Sequence, residues 1–353
     1  MQIQYNADDG LAASGHRVAS NRWRWPGLLC VLLAFLPAAS ASAHESPNEN
    51  PGPEVVPSWV FPLDSTPPSG SAPFNSLLPL HIPGSRRSFT HTEVNDPFYA
   101  PDWHPASHSV MPGIVASGRP PEVFACGYCH LPGGQGRPEN ASLAGLPAAY
   151  ILSQLADYRS GARSSAANGP YAPADFMIHT VRNATVEELS TAAAYFSAQS
   201  LRPRTVIVET ERVPRSHVVG LVYTAVRGGG SEPLGQRLLE FAPDADRHEN
   251  RDDGMRYVSY VPRGSVGRGR HLAKAGLDSP ANACVSCHGP QLRGVGLIPP
   301  IAGRSPTYIL RQLIAFKTGA RSGATGEPMR NVARNLNLSD MIDAAAYAAS
   351  LPP

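Results

Sequence analysis

The chain has 353 residues, long enough for two or three domains with buried cores. Hydrophobic residues make up 42% and charged residues 16%, which excludes extensive disorder. The net charge of +2 is too balanced for a protein that binds nucleic acid through a basic face. Five cysteines in so long a chain also exclude a small disulfide-stapled scaffold.

Residues 1–43 are predicted to be a cleaved export signal. A positive stretch ending at Arg24 precedes an apolar run, Leu28 to Ala39, and Ala41-Ser42-Ala43 forms a cleavage site. A membrane-spanning helix needs roughly 20 apolar residues, more than this run or any later segment provides. We therefore expect a periplasmic mature protein without a membrane span, and Cys30 would leave with the signal.

The other four cysteines lie in two C-x-x-C-H motifs, Cys126 to His130 and Cys284 to His288. This spacing brings two thiols onto one helical turn, where both can add to porphyrin vinyl groups beside an iron-binding histidine. A shared zinc site needs closer pairs, and a redox dithiol or disulfides would leave the histidines unexplained. The motifs predict two covalent haem c groups. Their attachment residues would be Cys126, Cys129, Cys284 and Cys287, with His130 and His288 as iron ligands.

The duplication extends beyond the motifs. Residues 126–163 align without a gap on 284–321, and 15 of the 38 pairs are identical. In both copies, apolar residues after the motif recur at helical spacing. A second helix then closes each copy, with Thr185 and Glu188 as a capping box in the first and Ser339 with Asp340 at its start in the second. The repeat predicts two helical domains, 109–202 and 263–353.

One methionine in each copy stands where a sixth iron ligand is expected. Met177 and Met329 both follow a Gly-Ala-Arg segment and precede the last helix. A thioether ligand closes the sixth position and suits an electron carrier. His179 is a rival ligand for the first site, and methionines also fill cores, which is how we interpret Met111 and Met341.

Together these features resemble class I c-type cytochromes, in particular two-domain di-haem carriers of the cytochrome c4 kind. The resemblance covers about 126–199 and 265–351 and includes an Ala-Gly turn, a Tyr-Ile-Leu-x-Gln-Leu helix and an Ala-Ala-x-Tyr helix. It implies a mainly α fold of two tandem cytochrome c domains, each with first and last helices crossing beside a haem crevice. Such a protein passes single electrons between redox partner proteins.

The first copy departs from the family pattern at two places. The family commonly has glycine after the haem histidine; Gly289 fits, whereas Leu131 does not. It also has a proline whose carbonyl holds the free ring nitrogen of that histidine. Pro299-Pro300 fits, whereas Ala141-Ser142 does not, although any residue can supply a carbonyl.

Two further segments lie outside the haem domains. Residues 44–108 predict a proline-rich extended arm, mobile over 44–55, whose aromatic side chains pack on the haem domains. Residues 203–262 predict a small antiparallel β insert joining the domains. Its expected strands are Arg204–Val208, Val218–Val226 and Tyr257–Val261, and its turn is 228–230. We interpret His81, His91, His104 and His108 as surface histidines because their spacing matches no metal site.

The sequence favours an electron carrier over an enzyme. Catalysis needs an iron with an open sixth position and nearby acid–base groups, yet neither motif has a clear carboxylate or arginine constellation around it. The alternatives are a di-haem enzyme, such as a peroxidase or thiosulfate dehydrogenase, using the irregular first site, or a cytochrome subunit docked on a dehydrogenase.

Overall fold

The computed structural model describes residues 56–63, 77–277 and 279–353, which are rich in helix and include small sheets. The predicted export signal, Cys30 and the predicted mobile segment 44–55 all lie outside these described residues. The helices are α1 His91–Val94, α2 Gly113–Ala116, α3 Cys126–His130, α4 Ala148–Ser160, α5 Ala172–Asn183, α6 Val186–Ser197, α7 Ala245–Glu249, α8 Ser265–Ala275, α9 Cys284–His288, α10 Pro306–Thr318, α11 Glu327–Asn335 and α12 Leu338–Ser350. The strands are β1 Pro79–Leu80, β2 Phe89–Thr90, β3 Thr205–Glu209, β4 Arg212–Pro214, β5 Ser216–Val219, β6 Val222–Ala225, β7 Ser231–Pro233, β8 Leu239–Phe241 and β9 Tyr257–Val261.

Several helices of the two copies correspond; we call 109–202 the first repeat and 263–353 the second. Helices α4 and α10 begin and end at aligned positions, and each stops at a glycine with φ of 82°, Gly161 or Gly319. Glycine adopts this left-handed conformation without a steric penalty from a Cβ atom, which explains the shared boundary. The two apolar cores form around these helices and the closing helices α6 and α12.

Both closing helices begin with a capping box. The predicted pair of Thr185 and Glu188 is confirmed at the start of α6. The predicted start at Ser339 is wrong, because Asn337 caps α12 and exchanges hydrogen bonds with Asp340. An asparagine side chain accepts from the third backbone N–H as well as serine does, so the helix begins two residues earlier.

The crossing of first and last helices is well developed in the second repeat only. Helix α8 packs against α12 so closely that a Cβ at Gly269 would collide with the backbone carbonyl of Asp343. Arg268 also donates two hydrogen bonds to the Asp343 carboxylate, at 2.7 and 3.0 Å. In the first repeat the counterpart is the single turn α2, which follows Pro112. Proline at this boundary prevents the helix from extending toward the N-terminus.

The segment 203–262 forms a five-stranded sheet in the order β3-β9-β8-β6-β5. The expectation of an antiparallel sheet is confirmed for β5 with β6 and for β8 with β9 but is wrong for the other two pairs, because β3 pairs with β9 and β6 with β8 in parallel. The connections between these partners are long enough to cross over, as parallel pairing requires. The expected strand over 218–226 is also two strands, since Gly220 and Leu221 have positive φ and make a tight hairpin turn. Strands β4 and β7 pair separately.

The proline-rich segment is more structured than an extended arm. Four of its side chains form a small apolar cluster, Ile82, Phe89, Val94 and Trp103. Further upstream, Val56 and Val60 are buried in the core of the second repeat. The interpretation of His104 and His108 as surface residues is wrong, because they pair with the carboxylates of Asp253 and Asp102. Within the described ranges, no helix has the length and apolarity needed to cross a membrane.

Candidate haem centres

Each C-x-x-C-H motif forms one helical turn, α3 or α9, with its histidine as the last residue. The four motif cysteines are free thiols, and none of them forms a disulfide. Burial raises the pKa of the Cys126 thiol to about 12, so it stays protonated at neutral pH.

The two motif histidines are held in the same way. Nδ1 of His130 donates to the backbone oxygen of Ala141, and Nδ1 of His288 donates to that of Pro299, both at 2.8 Å. The carbonyl therefore comes from Ala141 in the first repeat although proline is absent there. Burial lowers the pKa of both imidazoles, which keeps the rings neutral. A neutral ring anchored through Nδ1 leaves Nε2 free to bind a metal.

Both histidines line one cavity of about 560 Å³, a volume in the range of ligand-binding sites. Its wall is mostly apolar and comes from both repeats. Met177 and Met329 also line it, whereas His179 is exposed and packs against the ring of Phe124. Outside the cavity wall, Met341 is buried in the core of the second repeat, as expected of a packing residue. Met111 likewise packs against the first core.

The expectation that no arginine constellation surrounds the motifs is wrong, because four buried arginines line this cavity: Arg163, Arg304, Arg311 and Arg321. Among the described residues, no carboxylate lies within ion-pair distance of any of them, and their hydrogen bonds go to carbonyl, amide and hydroxyl oxygens. Burial lowers the pKa of Arg304 to about 10. Buried cations without anionic partners are costly, so this wall fits a ligand with negative groups.

Two of these arginines form a junction between the repeats that is nearly symmetric. Arg163 and Arg321 oppose each other across an antiparallel bridge, with Ser164 N donating to Ala320 O and Ser322 N to Ala162 O. Each guanidinium donates to the glutamine of its own repeat and to that of the other, Gln154 and Gln312, at 2.6 to 3.1 Å. Each also contacts the tyrosine of the other repeat, Tyr308 or Tyr150. The repeated Gly-Ala-Arg segment was visible in the sequence. The role of its arginine was not, because each arginine binds residues of the other repeat.

The turn after each motif histidine has the same backbone pairing in both repeats, but it is buried in the first repeat and exposed in the second. Residues Arg137 and Asn140 form a bridge in the first repeat, and their counterparts Val295 and Ile298 form the same bridge in the second. In the first repeat the turn is buried under the β insert, and Arg137 donates to Nε2 and the backbone oxygen of His248. In the second repeat, Val295 and its neighbours are exposed.

A haem c group fits these residues. The thiol pairs can form the two thioethers, the neutral histidines can bind iron on one face, and the unpaired arginines can neutralise the propionates. The apolar wall suits the porphyrin ring. The fit is more complete at the second motif, where Cys284 and Cys287 line the cavity together with His288 and Met329; from the first repeat, His130 and Met177 line it, whereas Cys126 and Cys129 do not.

No protein-family model matches the chain. Cytochrome c-554(548) from Halomonas halodenitrificans is 37% identical over 79 residues, which cover 22% of this chain and 94% of that protein. The chain belongs to the c-type cytochromes.

Longer relatives match about two thirds of this cytochrome. A thiosulfate dehydrogenase electron acceptor from Stutzerimonas stutzeri is 27% identical over 237 residues, covering 66% of this chain and 82% of that protein. Cytochrome c4 from Azotobacter vinelandii is 24% identical over 243 residues, covering 68% and 90%. These di-haem relatives confirm the resemblance to cytochrome c4 and imply two covalently bound haem c groups, as the two motifs predict.

Proposed function

We propose that this cytochrome is an exported electron carrier that passes single electrons between redox partner proteins through two His/Met haems. In this proposal Cys126 and Cys129 attach the first haem, and Cys284 and Cys287 attach the second. The domains would be those expected from the repeat, 109–202 and 263–353. The observation that carries the proposal is the single cavity lined by both motif histidines and both candidate methionines.

The cavity wall supports the proposed iron ligands. His130 and His288 present Nε2 because their Nδ1 atoms are tied to backbone oxygens. Met177 and Met329 lie in the same wall, whereas the rival His179 does not. When bound, haem supplies a reversible one-electron couple, and a methionine on iron favours its reduced state. The chain's own part is to hold the iron ligands, exclude water and neutralise the propionates with buried arginines.

The polar groups of the cavity favour a carrier over a di-haem enzyme. Among the described lining residues, Glu139 is the only carboxylate, and it pairs with Arg137 at 2.9 Å. A group held in this pair is poorly placed to move protons at an iron. Two relatives are named as electron acceptors of thiosulfate dehydrogenase, which supports a dehydrogenase as one class of electron donor to this chain. This chain would then accept electrons either as a separate protein or as a subunit docked on the dehydrogenase.

Absorption spectra of the oxidised holoprotein test the ligands. An iron–methionine bond gives a weak long-wavelength band, so we expect two such bonds in the native protein. Met177→Leu and Met329→Leu should each remove one, while His179→Leu, the matched control, should remove none. If instead the native band has the intensity of one iron–methionine bond, Met177→Leu leaves it unchanged, Met329→Leu abolishes it and His179→Leu opens one haem to cyanide, then His179 is the ligand.

Reductive titration tests the carrier function. We expect two electrons per chain, full reoxidation, and no binding of cyanide or peroxide to the oxidised protein. Ready binding of either ligand at one haem would instead support a di-haem enzyme with an open iron.

A further inference from the structure

The mouth of the shared cavity is apolar and exposed on the side of the second repeat. Leu277, Leu297 and Ile298 line the cavity and are also exposed, by 44%, 69% and 36%. Val295 stands beside them, 59% exposed. Cys287, one of the two candidate attachment residues of the second haem, lies at the same opening and is exposed. We call the four apolar residues Leu277, Val295, Leu297 and Ile298 the mouth patch.

The first repeat shows what happens to the same surface when it has a partner. The positions that align with Val295 and Leu297 are Arg137 and Glu139, and both are buried beneath the β insert. There the turn is polar, and the β insert hydrogen-bonds to it. His248 accepts from Arg137, and Arg204 donates to the backbone oxygen of Gly136 at 2.7 Å. The second turn has the same backbone but no cover from the described chain, and its side chains are apolar instead of polar.

Charge distinguishes among possible occupants of the mouth patch. Residues 263–353 contain eleven arginines and lysines against four acids, whereas 109–202 contain six of each. Three of the eleven cations face the cavity, and exposed cations flank the patch: Lys274 precedes Leu277 and Arg293 precedes Val295. A second copy would bring like charge against like charge. An acidic partner would be attracted.

We propose that the mouth patch is the docking site of an acidic redox protein with an apolar contact surface, and that electrons enter or leave this cytochrome at the second repeat. The proposal rests on the proposed function, because it requires a haem at His288. In the exchange, one electron passes between the iron of the second haem and the partner's redox centre, and no bond is made or broken. The first repeat cannot use the corresponding surface, because the β insert already covers it.

Stopped-flow oxidation of the fully reduced holoprotein tests this site. The probe is plant plastocyanin, an acidic blue-copper protein that accepts one electron. We expect Arg293→Glu to lower the second-order rate constant about tenfold at low ionic strength, with the difference shrinking as salt rises. Leu297→Ser should weaken binding of the probe, seen as a higher concentration needed for saturation.

Two variants of the first repeat are the matched controls. Arg182→Glu changes an exposed arginine of α5, and Val186→Ser changes an apolar side chain of α6 that is 74% exposed. Both should leave the rate within twofold of the native protein. Equal slowing by Arg182→Glu and Arg293→Glu would overturn the site, since the attraction would then be spread over the whole surface.

Sedimentation tests the alternative occupant of the mouth patch, a second copy of this chain. If the native protein sediments as a dimer and Leu297→Ser makes it a monomer, the occupant is a second copy and the acidic partner is wrong. Uptake of fewer than two electrons in the reductive titration would contradict the proposed function itself. Normal uptake with unaffected rates in the patch variants would contradict only the docking site.

Discussion

The two repeats share the boundaries of their motif helices and of α4 and α10, and they differ in what surrounds these helices. In the first, the turn after the motif histidine is polar, buried and covered by the β insert; in the second, it is apolar and exposed. The second repeat has a full helix crossing between α8 and α12, whereas the first has a single turn, α2, in place of α8. A duplicated haem-binding framework can therefore be kept while stability is drawn from different sources: from an inserted sheet in one copy and from helix packing in the other.

Breaking the polar cover of the first turn should have the largest effect. Arg137→Met leaves the Glu139 carboxylate buried without its partner, and we expect a loss of about 3–5 kcal/mol in the free energy of unfolding. The aligned change Val295→Thr should stay within about 0.5 kcal/mol because that side chain is exposed. Urea unfolding of the two holoproteins measures the difference.

Adding Glu139→Gln to Arg137→Met should recover part of the loss, since the uncompensated charge is removed. If Arg137→Met and Val295→Thr had similar costs, the turn of the first repeat would not depend on its cover.

The helix crossing of the second repeat depends on one glycine. Gly269→Ala places a Cβ against the backbone of α12, so we expect a loss of about 1–3 kcal/mol in thermal or urea unfolding. Gly267 lies in the same helix with open space around its Cα. Gly267→Ala should therefore stabilise by about 0.5–1 kcal/mol through its higher helix propensity. A destabilising Gly267→Ala would show that the helix itself, not the crossing, is sensitive.

The contact between the β insert and the turn of the first repeat should also weaken at acidic pH. Burial and the charge of Arg137 hold the pKa of His248 well below its ordinary value of 6.5. Below pH 6.5 the unfolded chain binds a proton at this residue that the folded chain does not, so stability falls as the pH falls. The contribution is about 1.4 kcal/mol per pH unit until the folded-state pKa is reached.

His248→Gln removes this titration. The difference in unfolding free energy between the native protein and His248→Gln should narrow from pH 7 to pH 5. A constant difference over that range would mean that His248 titrates alike in the folded and unfolded chain.

The capping boxes should show the smallest effect, equal in the two repeats. Thr185→Ala and Asn337→Ala each remove one side-chain cap at the start of the closing helix. We expect each to cost about 1 kcal/mol in thermal unfolding. Unequal costs would show that the two closing helices are anchored differently, despite their matching starts.

The parts of this protein that were predictable from sequence are those set by local chemistry. The C-x-x-C-H motifs, the helical spacing that becomes α4 and α10, and the first capping box depend on residues close together in the chain. The order and direction of the strands were not predictable, because parallel pairing of β3 with β9 depends on where the chain returns, not on strand composition.

The candidate sites divide in the same way. His130 and Met177 were found from spacing, and the structure brings both to one cavity. Arg163 and Arg321 stood out as an identical pair but carried no predicted role, because their partners lie in the other repeat. The cover of Arg137 by His248 was equally hidden, since 111 residues separate the two.

The bridge between Arg163 and Arg321 has a kinetic consequence. Electron tunnelling slows steeply as the gap between two centres widens, so two sites on loosely tethered domains would exchange electrons at a wide spread of rates. Here the backbones of the two repeats are hydrogen-bonded to each other beside the cavity, and side chains cross in both directions. With haem at both histidines, such a junction would hold the gap constant, and an electron would pass between the centres with a single rate.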